Sequence, residues 1–109
     1  MIEWNKLIER GVPSISRGAL LKFPAKYPFE AYVVMMLCEG PQNSSERCLV
    51  TITGHKAGIN CYLVFPSEAT TSDCYVSTAW LIENWNKWVW SDGDVADVCI
   101  CDGLSAQDL

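Results

Sequence analysis

The sequence predicts a two-layer α+β domain: a mostly antiparallel sheet packed by a Trp-rich C-terminal helix, with a short helix at the N-terminus. Three observations carry this reading. Short apolar runs alternate with Gly-, Pro- and Asn-containing breaks, the pattern of consecutive strands and turns. Gly54-His55-Lys56-Ala57-Gly58 separates two alternating runs, which makes an antiparallel hairpin the natural connection. Leu81, Ile82, Trp85, Trp88 and Val89 fall in one helical stripe about 120° wide. A chain of 109 residues has room for one domain with one core, so residues 1–109 are read as a single unit.

The elements follow in order. Trp4, Leu7 and Ile8 recur at helical spacing, and Gly11 and Pro13 stop the helix. Ala19 to Phe23 is a strand closed by Pro24 and Pro28. Phe29 to Cys38 carries no charge after Glu30, which predicts a central strand covered on both faces. Cys48 to Thr53 and Ile59 to Phe65 alternate, the first presenting Cys48, Val50 and Ile52 on one face. Ser77 and Thr78 are good N-caps for a helix over Ala79 to Trp90, with Trp80 and Trp90 off the apolar stripe. Glu83 and Lys87 make a favourable i,i+4 pair on its far side. Val95 to Cys101 is a last strand, and 102–109 a frayed tail.

Charge narrows the function. The net charge of −5 argues against nucleic acid or an anionic membrane as partner, since both would repel the protein. No apolar run is long enough to span a bilayer. Met1 to Lys6 lacks the basic and apolar regions of a secretory leader, so the expected location is cytoplasmic. The charge is also uneven. Residues 1–65 hold seven basic and five acidic side chains, net +2, while 66–109 set Lys87 against eight acids, net −7. Five aspartates fall between positions 92 and 108.

A cytoplasmic chain keeps its thiols reduced, so Cys38, Cys48, Cys61, Cys74, Cys99 and Cys101 read as small apolar side chains. They lack the paired C-x₂₋₄-C knuckles of a zinc site. The single histidine, His55, sits in a turn with no nucleophile motif nearby. No metal, cofactor or catalytic residue is expected, and the chain reads as a non-enzyme. Two further readings compete with a plain interaction protein. One is a small-molecule or regulatory module with a pocket lined by Met35, Met36, Tyr62 and Trp85; the other is an enzyme using a cysteine or His55.

Ser77-Thr78-Ala79-Trp80-Leu81-Ile82-Glu83-Asn84-Trp85-Asn86-Lys87-Trp88-Val89, followed by Asp92-Gly93-Asp94-Val95, resembles a small immunity-protein family of bacterial polymorphic-toxin and contact-dependent growth-inhibition systems. Gly54-His55-Lys56-Ala57-Gly58-Ile59-Asn60 and Arg17-Gly18-Ala19-Leu20-Leu21 extend the resemblance, which runs from Trp4 to about Val98. It implies a cytosolic, non-catalytic protein that binds the toxic C-terminal domain of a cognate effector. It also implies that the shared Trp and Gly positions are scaffold and that partner-binding residues vary between members. The acidic balance agrees, because many such toxins act on nucleic acid through basic clefts, which an acidic protein can cover. The predicted partner-binding residues are Tyr75, Trp80 and Trp90 as aromatic anchors, rimmed by Glu68, Asp73, Asp92, Asp94 and Asp97.

Overall fold

The computed structural model describes residues 2–59 and 61–109. In chain order the strands are β1 (Asn5–Lys6), β2 (Ser14–Ile15), β3 (Leu20–Pro24), β4 (Tyr32–Glu39), β5 (Arg47–Thr51), β6 (Leu63–Val64) and β7 (Val76–Ser77). Helix α1 (Thr78–Asn84) follows, and β8 (Cys99–Cys101) closes the sheet. Six strands form an antiparallel sheet in the order β1-β8-β3-β4-β5-β6, and β2 pairs with β7 in a separate two-stranded sheet. The fold is therefore the α+β class predicted, with β3 and β4 at the centre.

The core lies on one face of the large sheet. Leu21, Phe23, Val33, Met35, Leu37, Leu49 and Ile100 meet Leu81, Trp85 and Val89 from the helical layer there. Registers of Leu21 with Met35 and Leu37 with Leu49 keep these side chains together across the strands. Met35 and Met36 consequently point to opposite faces, so the predicted pocket of Met35, Met36, Tyr62 and Trp85 does not form. Met35 and Trp85 are packed core.

The opposite face corrects the expectation that β4 is covered on both sides. Val34, Met36 and Cys38 are only half-buried there, beside Val50, Val64 and Cys99, whereas Leu20, Cys48 and Cys101 on the same face are buried. Lys22 lies on this face between two rings, its Nζ 4.9 Å from the Tyr32 centroid and 5.4 Å from that of Trp4. An antiparallel sheet tolerates one partly covered face, so an uncharged run does not by itself prove two covering layers.

Several boundaries also differ. The N-terminal helix is a single 3-10 turn at Leu7–Glu9; Ile8 is exposed, because Asn5 and Lys6 pair with Ile100 and Cys99 instead of winding. The strand expected over Ile59 to Phe65 contracts to β6, and a 3-10 turn at Gly54–Lys56 occupies the connection; Asn60 lies outside the described residues. Gly54 has φ +72°, so the turn uses the conformational freedom of glycine. The final strand shortens to β8, because Val95–Asp97 forms a 3-10 turn capped by Asp94. Within 102–109, the segment expected as a tail, Arg10 pairs with Asp102, and Ser105 and Asp108 form a capping box around Ala106–Asp108.

The Trp-rich helix is half as regular as its periodicity suggests. Ser77 caps it by accepting from the Trp80 N–H at 3.2 Å. From Trp85 to Val89 the winding becomes a π turn, closed by the Trp90 N–H on the Trp85 carbonyl at 2.9 Å. A π turn advances about 80° per residue against about 100° in an α-helix. That slower winding carries Trp88 outward, 38% exposed, and brings Trp90 back toward the core. Both positions reverse the sequence-based assignment. Glu83 and Lys87 straddle the change of pitch and form no ion pair.

Candidate interaction surface

The residues that gather at the start of β4 come from three loops. The β3–β4 connection is closed by the Ala25 N–H on the Ala31 carbonyl and the Phe29 N–H on the Lys26 carbonyl, both 2.9 Å. It holds Tyr27 outward, 94% exposed, next to a cis bond to Pro28. Phe29 packs edge-on against Trp90, with centroids 5.0 Å apart at 70°. Trp90 in turn rests on Phe23 at 4.9 Å and faces Tyr62 at 6.3 Å. The Tyr62 hydroxyl donates to the Val89 carbonyl at 2.6 Å, and burial raises its pKa.

The acidic loop after Trp90 is pinned to this platform. The Asn86 amide donates to the carbonyls of Trp90 and Gly93, at 3.0 and 2.8 Å. Asp94 accepts from the Ala96 N–H at 2.9 Å. Asp92, Asp94 and Asp97 are exposed, and they border the same small recess beneath Trp90. A larger cleft of about 320 Å³ runs between the Pro24–Phe29 segment and Trp90, Asp92 and Gly93. A second, of about 290 Å³, lies across Pro28 and Phe29 beside Thr53, His55 and Lys56. An aromatic ridge of Tyr27, Phe29 and Trp90 therefore lies between two clefts, with carboxylates on its rim.

The eight predicted partner-binding residues divide between the two ends of the sheet. Trp90, Asp92, Asp94 and Asp97 sit at the Tyr32 end of β4. Glu68, Asp73 and Tyr75 belong to the segment before β7, which borders the β4–β5 turn at the Glu39 end. Eight residues of strand separate the ends by about 25 Å. Trp80 belongs with the second group: it packs edge-on against Phe65 at 5.9 Å and tilted, at 58°, against Trp88 at 5.6 Å, half-buried. Tyr27 and Phe29 were absent from the prediction. Their signal is a pair of aromatic residues flanking a proline in a loop, where no core requirement explains them.

The chemistry-bearing groups do not assemble. All six cysteines are free. Cys38 and Cys48 face each other across β4 and β5, with Cys61 beside Cys48. Burial foremost, then the neighbouring thiols of Cys61 and Cys38, pushes the Cys48 pKa up to about 11, the reverse of what a nucleophile requires. Burial also raises the Cys38 pKa. His55 is exposed on its turn. Among the described residues no three His, Cys, Asp or Glu side chains converge as metal ligands, and no helix is long and apolar enough to cross a membrane.

Tyr27 and Phe29 thus stand exposed beside a scaffold in which Trp85 is core and Trp80 and Trp90 pack against it. No curated protein and no solved structure matches the chain. The description immunity protein 45 matches it over residues 7–100, from the first core leucine to the last core strand, and the chain therefore belongs to the immunity protein 45 family, with a role in immunity against a toxin.

Proposed function

We propose that this chain neutralises a cognate bacterial toxin domain by obstruction, docking the Tyr27, Phe29 and Trp90 ridge and its aspartate rim over the toxin's active site. The toxin is the C-terminal domain of a polymorphic or contact-dependent effector, and the encounter takes place in the cytoplasm. The chain performs no chemistry of its own. The observation that carries the reading is the union, at one end of the sheet, of exposed aromatic anchors with Asp92, Asp94 and Asp97. Such a surface complements a basic cleft, so a nuclease is the favoured class of toxin. The carboxylates accelerate encounter, and the aromatic ridge supplies the desolvated centre that slows dissociation.

The test is co-expression with the toxin domain encoded beside it, followed by kinetics on the purified pair. Wild-type protein rescues growth and forms a 1:1 complex. Asp92→Asn, Asp94→Asn and Asp97→Asn together slow association about tenfold at low salt, and the difference shrinks as salt rises. Unchanged rates with unchanged salt dependence would remove this surface from the interface. Failure to rescue would remove the immunity assignment for that pair.

A further inference from the structure

The chain has three arginines, and two of them sit against carboxylates: Arg10 on Asp102 and Arg17 on Glu39. Arg47 has no such partner among the described residues, although it is the one that the fold buries, with 8% of its surface exposed. It opens β5 on the core face, two residues before Leu49. Its Nη1 donates to the carbonyls of Ser44 and Glu46, both at 2.7 Å. Its Nε is buried with no partner, and Nη2 makes no hydrogen bond. Neutral carbonyls compensate part of a guanidinium's lost hydration; the full charge calls for an anion.

The space for one exists. Arg47 lines a cleft of about 340 Å³ between the β4–β5 turn and the segment before β7. Asn43, Ser67 and Thr71 line it too, side chains that can donate to an anion's oxygens, while the Thr70 hydroxyl at its edge already donates to the Ser67 carbonyl at 3.0 Å. Glu46 also borders the cleft, and the chain's net charge is −5, so a dianion is repelled more strongly than a single carboxylate. A planar carboxylate also matches the guanidinium fork.

We propose that this cleft is a carboxylate-binding site in which Arg47 holds one carboxylate group, presented by an acidic residue of a bound protein or by a small carboxylic acid. It lies at the opposite end of the sheet from Tyr27 and is independent of the immunity reading.

Titration of the ¹⁵N-labelled full chain with sodium acetate, against sodium chloride at equal ionic strength, tests it. Acetate shifts the amide signals of Ser44, Arg47, Thr70 and Thr71 saturably, chloride does not, and Arg47→Met abolishes the response. Because Arg47 also ties the β4–β5 turn, a second variant leaves it in place: Ser67→Trp fills the cleft mouth from an exposed position and weakens acetate at least tenfold. Shifts that never saturate, that chloride reproduces, or that survive in Ser67→Trp overturn the site. Repeating the titration on the complex with the toxin domain identifies the source. A response lost in the complex assigns the carboxylate to the protein partner and one retained assigns it to a small molecule; either leaves the site standing.

Discussion

Replacing Tyr27 with alanine removes a ring that is 94% exposed in the free protein, so almost nothing in the fold depends on it. The expected change in folding stability is within about 0.5 kcal/mol. In the complex the same ring would bury about 150–250 Å². At about 25 cal/mol per Å² that is about 4–6 kcal/mol. Side-chain ordering and imperfect polar pairing offset part of it, which leaves about 2–4 kcal/mol. At about 1.4 kcal/mol per tenfold, the dissociation constant rises about 30- to 1,000-fold, mostly through faster dissociation. Surface plasmon resonance against the toxin domain reads the binding term, and urea denaturation of the free protein reads the folding term. A Kd within threefold of wild type, with stability unchanged, refutes the placement of Tyr27 at the interface centre.

The core and the thiols give two further tests. Trp85→Ala removes a ring 1% exposed and packed edge-on to Phe23 at 5.2 Å, so it costs about 3–5 kcal/mol and lowers the urea midpoint by about 2 M, whereas Trp88→Ala shifts it far less. Cys48 holds its proton in the folded chain to about 11, against an ordinary 9.0. Stability is therefore full below pH 9 and declines toward pH 11, where the unfolded chain has released a proton that the folded chain retains. Urea midpoints measured across that window show a flatter profile for Cys48→Ala.

The three long strands and the start of the Trp-rich helix were legible because each rests on a local signal: alternation, breakers and a serine cap. The antiparallel partners of β5 and β6 followed from the turn residues between them. The π turn was not legible. Its extra residue changes the phase of the helix without any unusual side chain, so Trp88 and Trp90 exchanged roles. The partial cover on the second face of β4 was hidden for a related reason: Val34, Met36 and Cys38 satisfy an apolar pattern whether another layer covers them or they shield one another. At the interaction surface the aspartates were visible as charge and Trp90 as an aromatic, but their meeting with Tyr27 and Phe29 is a product of tertiary folding. Arg47 was unremarkable in sequence, since only burial reveals that its counter-charge is missing.

The surplus residue between Trp85 and Val89 has an architectural consequence. Excising it would restore an α-helical pitch and turn everything downstream by about 100°. Trp90 would swing out from under Phe29, and the Asn86 amide would lose the two carbonyls by which it anchors the acidic stretch. The spatial address of Asp92, Asp94 and Asp97 is thus written in the length of a helix. A single insertion or deletion there could re-aim the whole rim while every carboxylate stayed in the chain.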